Sequence, residues 1–332
     1  MTSNRRHVLK QLGLGALGSA AWSLPLTSAY GQKTFPSRPV RVVIPYPAGG
    51  TTDVLARQLF EILSKQWERP VIIDNRPGAG GILGAEVVAK AEPDGHTLLL
   101  TIASVVQAPS LYTRTKVPYD PLRDFAPVSE LGVSPIVLVT QSGNSSYPDL
   151  KGLMQHAKAD SQPALYGTFG VGSSGHLSME MVGRKLNIRT QHVPYKGEMP
   201  LVTDLLGGQI PLGIIGAMPV QQHRAKLRPL AVTGASRVSM LPDVPTFQEM
   251  GFPGAERTGW FGLLATGGTP QAIVEKISSD ANAVLALPEF RARMTDLGII
   301  LKGSTPTAFT AQVKEEFAYW AEVIRITNVH LD

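Results

Sequence analysis

Short apolar runs alternate with helix-period segments along nearly the whole chain, and this alternation constrains the fold more than any other feature. The runs are Val40 to Pro45, Val71 to Asp74, Thr97 to Ile102, Ile136 to Thr140, Ala164 to Thr168, Pro211 to Ile215 and Pro229 to Thr233. Runs so short and apolar suit strands covered on both faces, with the intervening helices as the cover. Between Asp53 and Trp67, for example, Leu55, Leu59, Ile62 and Leu63 share one helical face. The pattern predicts α/β layers built on mostly parallel sheets.

Two further helices announce their starts. Thr305 is placed to cap a last helix with Pro306 at its first position, and Phe309, Val313, Phe317, Trp320 and Ile324 form its apolar stripe, suited to bracing two domains. Thr269-Pro270 opens another helix that runs to about Leu285. Pro- and Gly-rich stretches at Leu131 to Pro135 and Gly251 to Gly259 read as crossings between domains.

At the amino terminus, Arg5, Arg6 and Lys10 precede a mild apolar run from Leu12 to Leu24 and then small residues at Ala29 and Gly31. This reads as an export signal, and the paired arginines before a glycine-diluted core favour the twin-arginine route. The remaining 301 residues suit two α/β domains of about 150 residues each. The expected division is 32–131 with 257–332 as the first domain and 132–256 as the second. Without residues 1–31 the formal charge falls from +5 to +2, with no Lys/Arg stripe, which argues against a nucleic-acid partner. The longest apolar stretch, Ile210 to Val220, is broken by Pro211, Gly213, Gly216 and Pro219, so no direct membrane insertion is expected. The absence of cysteine removes disulfides and thiolate metal sites. His96, His156, His176, His192, His223 and His330 form no helical pair at metal-ligand spacing, and neither metal nor cofactor is expected.

Residues 44 to 59 carry the clearest chemical signal. A strand runs into Ala48-Gly49-Gly50-Thr51-Thr52-Asp53, which opens directly onto an amphipathic helix. Glycines let backbone N–H groups approach a ligand oxygen, and the first turn of a helix offers unpaired donors with a positive dipole end. The loop holds no cation, which suits a carboxylate that must later leave. Asp53 reads as the helix cap and as an acceptor for the loop's own N–H groups, because a carboxylate aimed at a bound carboxylate would repel it. Gly170-Val171-Gly172-Ser173-Ser174-Gly175-His176 repeats the arrangement between a strand and a helix, with two hydroxyls added. Two such loops at the carboxyl ends of parallel strands would make a pincer.

Other chemistries fit less well. Ser173, Ser174 and His176 lack the Gly-x-Ser-x-Gly elbow of a hydrolase. His176 reads either as a neutral donor near the ligand or as a plain helix-start residue. Gly170, Gly172 and Gly175 match Gly-x-Gly-x-x-Gly, so an exported nicotinamide-dependent oxidoreductase is the rival reading. About twenty positions on, however, stand Tyr195 and Lys196 rather than an acidic ribose ligand.

Seven blocks in order give the chain a family likeness: Pro-Ala-Gly-Gly-Thr-Thr-Asp at 47–53, Asn-Arg-Pro-Gly-Ala-Gly-Gly at 75–81, Pro-Asp-Gly-His-Thr-Leu at 93–98, Gly-Val-Gly-Ser-Ser-Gly-His-Leu at 170–177, Val-Pro-Tyr-Lys-Gly at 193–197, Asp-Leu-Leu-Gly-Gly-Gln at 204–209 and Leu-Pro-Asp-Val-Pro-Thr-Phe at 241–247. With them the chain resembles the periplasmic substrate receptors of tripartite tricarboxylate transporters, the Bug or TctC-type family. The resemblance implies a two-lobed periplasmic-binding-protein fold, type II-like, closing over a small carboxylated solute. The loops at 47–53 and 170–176 would grip the solute, partly through water, with Ser104, Tyr195, Lys196 and Gly216 near the cleft. It also implies a monomeric binding protein rather than an enzyme, delivering an organic acid to membrane permease subunits. Pro211 stands where many relatives carry aspartate, a departure that bears on the ligand's far end. Dicarboxylates, tricarboxylates, aromatic acids, amino acids and amides all remain open as ligands.

Overall fold

The computed structural model describes residues 35–112, 117–144, 147–159, 162–252 and 257–331. The export-signal motif lies outside the described residues, as do residues 253–256 of the second expected crossing. In chain order, β1 (Val40–Ile44), α1 (Thr51–Trp67), β2 (Val71–Asn75), α2 (Ile82–Ala89), β3 (Thr97–Ile102), α3 (Ser104–Leu111) and β4 (Phe125–Ser134) come first. Then follow β5 (Ile136–Gln141), α4 (Leu150–Ala159), β6 (Ala164–Thr168), α5 (Ser174–Leu186), β7 (Thr190–Pro194), α6 (Glu198–Gly207), β8 (Leu212–Gly216), α7 (Ala217–Gln222) and β9 (Leu227–Val232). Last are β10 (Gly259–Thr266), α8 (Gln271–Leu285), α9 (Pro288–Asp296), β11 (Ile300–Leu301) and α10 (Pro306–Thr327).

The strands form two sheets, ordered β11-β4-β10-β3-β1-β2 and β7-β6-β8-β5-β9. The helix-flanked α/β layers expected from the sequence are present, but both sheets are mixed rather than mostly parallel. Strands β2, β1 and β3 run parallel, as do β7, β6 and β8. Antiparallel strands complete each sheet: β10, β4 and β11 in the first, β5 and β9 in the second. The added strands include those by which the chain leaves and re-enters the first sheet, and they need no helical crossover.

That exit is shorter than the sequence suggests. Leu131 to Ser134 belong to β4, so Pro135 alone separates β4 from β5 of the other sheet. Gly132 marks close strand packing rather than a link, since a Cβ there would lie 2.7 Å from the Ile300 carbonyl oxygen.

Burial follows the apolar patterns. Helix α1 buries Leu55, Ala56, Leu59, Phe60, Leu63 and Trp67, and Trp67 Nε1 donates to Asp280 Oδ2 at 2.6 Å, tying α1 to α8. Leu59 lies in the core cluster that also holds Val40, Val42 and Ile44 of β1. In α10, Thr305 accepts the Ala308 N–H and Pro306 is the first residue, as expected. At α8 the cap differs: Pro270 occupies that position and the Thr269 hydroxyl donates to the Thr266 carbonyl at 2.8 Å. Helix α10 reaches the second sheet's helices, where Arg184 of α5 donates to Thr327 O at 2.8 Å. Leu177 of α5 shares a core with Phe309, Val313 and Trp320 of α10.

Leu59→Ala, at a fully buried position, is expected to destabilise the protein by about 2–5 kcal/mol, read as a lower urea midpoint at unchanged slope.

Candidate functional site

In each sheet the parallel strands end on one edge, and the turns leaving them open onto α1, α3, α5, α6 and α7. On the first sheet, the chain leaving β1 turns at Gly49, whose φ of +85° suits glycine, and enters α1 through Gly50 as the N-cap. The helix therefore begins two residues before Asp53, which is not the cap that the sequence suggests. From the first turn its carboxylate reaches back instead. Asp53 Oδ2 accepts the Gly49 N–H and Arg57 Nε, both at 2.9 Å, while Oδ1 accepts Asn75 Nδ2 at 3.0 Å. Burial opposes the charge on Asp53, but these bonds outweigh it and hold its pKa below the ordinary carboxylate value.

With that carboxylate spent inside the loop, the backbone N–H groups of Gly50, Thr51 and Thr52 have no acceptor among the described residues. Ala48, Gly49 and Gly50 are exposed. A Cβ on Gly49 would meet nothing within 4 Å, and one on Gly50 only Pro47 O at 3.8 Å. Behind the loop, the Tyr46 hydroxyl pairs with Ser104 Oγ at 2.6 Å, and burial raises its pKa against the effect of that bond.

On the second sheet, Ser173 caps α5, accepting the His176 N–H at 3.3 Å while its hydroxyl donates to Gly170 O at 2.8 Å. The Gly172 N–H donates to His176 Nδ1 at 3.0 Å. His176 stacks on His192 with centroids 3.8 Å apart, and His192 Nε2 pairs with Thr168 Oγ1 at 2.7 Å. Burial pushes His176 down to about 4, and burial together with neighbouring His176 pushes His192 down to about 3. Both rings are neutral near pH 7, and His176 braces the loop through a backbone amide rather than activating a serine. The Tyr195 hydroxyl donates to Asp204 Oδ2 at 2.8 Å, and burial followed by that bond pushes it up to about 12. Lys196 is exposed and carries no bonded partner among the described residues. Gly216 is the N-cap of α7, and its N–H donates to Glu198 Oε1 at 2.5 Å.

Helix α3 joins the two edges. Ser104 at its start holds Tyr46, while Gln107 Nε2 donates to Ser174 Oγ at 3.1 Å in a buried bond. Leu111 fills the hollow over Gly172, where a Cβ would lie 2.3 Å from Leu111 Cδ1. No bond joins Gly49 or Gly50 directly to residues 170–176. Cavities of about 390 and 220 Å³ lie away from both loops, at Arg57, Glu61 and Lys65 and at Glu130, Arg257 and Lys302. Leu111 occupies the space a pyrophosphate needs over Gly172, so the dinucleotide fingerprint finds no support here. Pro211 precedes β8, about 15 Å of strand from Gly216, and so lies at the opposite end from the candidate ligand edge.

A model of the tripartite tricarboxylate transporter family receptor matches residues 55–329. The chain belongs to this family. Protein BugT of Bordetella pertussis is 32% identical over 330 residues, covering 99% of each chain. The structure of R. palustris Rpa4515 with adipate is similar, with TM-score 0.80 and 33% identity, covering 89% of this chain and 98% of that one. MatC (Rpa3494) from Rhodopseudomonas palustris with bound malate has TM-score 0.77 and 31% identity, covering 87% of this chain and 100% of that one. The receptor thus has the two-lobed fold of periplasmic binding proteins. Among its described residues no helix is long and apolar enough to cross a membrane, and no cluster could hold a metal ion.

Tyr46, Asn75, Gln107, His192 and Glu198 escaped the sequence reading. Asn75 and Glu198 carried a local signal, as they open or directly follow glycine-rich blocks. Gln107 and His192 acquire roles only once the strands and helices pack.

Two outcomes follow from the second loop. The unfolded chain protonates its histidines near 6.5, whereas folded His176 and His192 resist protonation until about 4 and 3, so their contribution to stability is complete above about 6.5 and is lost as pH falls toward 4. Urea midpoints should decline across that window, and His192→Gln should flatten the decline. Gly172→Ala should lower the melting temperature, because it forces a Cβ onto Leu111 at φ +74°, while Gly50→Ala should leave it unchanged.

Proposed function

We propose that the receptor captures a small organic carboxylate between its lobes and presents it to the permease subunits of a tripartite tricarboxylate-type transporter. In this reading residues 32–131 with 257–332 make one lobe and 132–256 the other. Residues 1–31 direct export to the periplasm by the twin-arginine route and are removed. The observation that carries the reading is the cation-free loop at Gly49-Gly50, held by Asp53, with the N–H groups of Gly50, Thr51 and Thr52 unspent. The start of α5 supplies a second set of donors at Ser174 and Gly175. The bound adipate and malate of the two solved relatives support the same ligand class.

Three or four charge-assisted donors at about 1.5–3 kcal/mol each supply about 5–10 kcal/mol before ordering costs, enough for roughly micromolar affinity. Closure is then a population shift, since the closed lobes let both edges touch one ligand. No catalytic step belongs to this reading: Asp53, Ser173, Ser174 and His176 are each already bonded in roles that shape the loops.

Calorimetric titration and thermal shift against a panel of small mono- and dicarboxylates test the proposal. Gly50→Val should weaken binding of the best acid about tenfold or more while the protein stays folded, with a small fall in melting temperature from the poorer helix cap, because a branched side chain crowds the donors where a Cβ meets only Pro47 O at 3.8 Å. Unchanged affinity removes this loop from the site.

A further inference from the structure

The turn between β7 and α6 places a carboxyl group of the protein itself on the candidate ligand edge. Glu198, the first residue of α6, folds across to α7, where its Oε1 accepts the Gly216 N–H at 2.5 Å. The backbone of Gly216, at φ −65° and ψ 162°, is open to any residue. A Cβ there would lie 2.9 Å from Glu198 Oε1, so a larger residue would push the Glu198 carboxylate aside. The pair sits beside a meeting point of the lobes, since a Cβ on Gly298 of the other lobe would lie 3.1 Å from Met218 N and 3.7 Å from the Ala217 Cβ.

Glu198 has no charged partner among the described residues. Among the described residues no cation bonds to it, Oε2 accepts no hydrogen bond, and Lys196 two positions earlier is exposed and unpaired. Burial raises the pKa of its carboxyl above the ordinary value, with the Gly216 N–H only partly opposing. A negative ligand group brought beside it meets like charge in a partly dry setting, whereas a cationic donor satisfies the open oxygen and the charge together.

We propose that Glu198 sets the charge class of the ligand, so that the site takes a zwitterionic acid, held by its carboxylate at the backbone donors and by an ammonium at Glu198, in preference to a dicarboxylate. This rests on the carboxylate-receptor reading and narrows it. The solved relatives hold adipate and malate; this chain answers the second carboxylate of such a ligand with one of its own.

Calorimetry on the purified receptor near neutral pH, with pairs that exchange one carboxylate for an ammonium, tests the assignment: succinate against 3-aminopropanoate, glutarate against 4-aminobutanoate, adipate against 5-aminopentanoate. The ammonium member of the best-bound pair should bind about tenfold tighter or more, and Glu198→Gln should erase or invert that preference. Glu198→Ala should do the same, with circular dichroism melting showing both variants folded. Equal affinities, a dicarboxylate preference in the wild type, or an ammonium preference that both variants retain overturns the role of Glu198 and leaves the receptor reading standing. Absence of binding by every acid in the panel overturns the carboxylate reading, and this inference with it.

Discussion

Each sheet keeps three parallel strands side by side, and the rest of the molecule is organised by that constraint. Parallel neighbours must be joined by crossovers, so every βα turn of a block opens on the same edge. The starts of α1 and α3 gather there on one sheet and those of α5, α6 and α7 on the other. An edge built this way is rich in N–H donors before any side chain is chosen. The side chains of this receptor spend those donors unevenly: Asp53 takes Gly49, His176 takes Gly172, Glu198 takes Gly216, and the starts of α1 and α5 keep theirs.

Much of this was legible in the sequence, for reasons that are local. Strands such as Thr97–Ile102 and Ala164–Thr168 could be read to the residue because both faces are largely buried, so the short runs lack the polar alternation of a half-exposed strand. The cap at Thr305 depends only on its own next three residues. By contrast, β4 and β10 were invisible as strands, because Pro127, Gly132 and Gly262 resemble loop punctuation. Their glycines answer instead to Ile300 and Phe309, residues far away in the chain.

The candidate site divides in the same way. The Gly49-Gly50 loop follows from short-range stereochemistry and stands in the sequence, whereas the capping role of Ser173 emerges only in the structure, where α5 starts at Ser174. The part played by α3 is not legible in the sequence either, since it depends on Ser104 meeting Tyr46 on one side and on Gln107 and Leu111 meeting the 170–176 loop on the other. Histidine reads poorly for a related reason. His176 and His192 lie sixteen positions apart, and only their stacking joins them into one brace; the sequence offered His176 alone, as a neutral donor or a helix-start residue.

The two strands that carry the chain between the lobes are unequal. Pro135 alone divides β4 from β5, while the return path runs from residue 233 to residue 258. Proline holds its own φ and restricts the residue before it, so the outbound connection is stiff, while the return path first packs Val238, Leu241, Val244 and Phe247 into the cores around the second sheet and bridges Val232 to Thr246. One residue inserted at Pro135 would flip the register of β5 and spoil the hand-off from one sheet to the next.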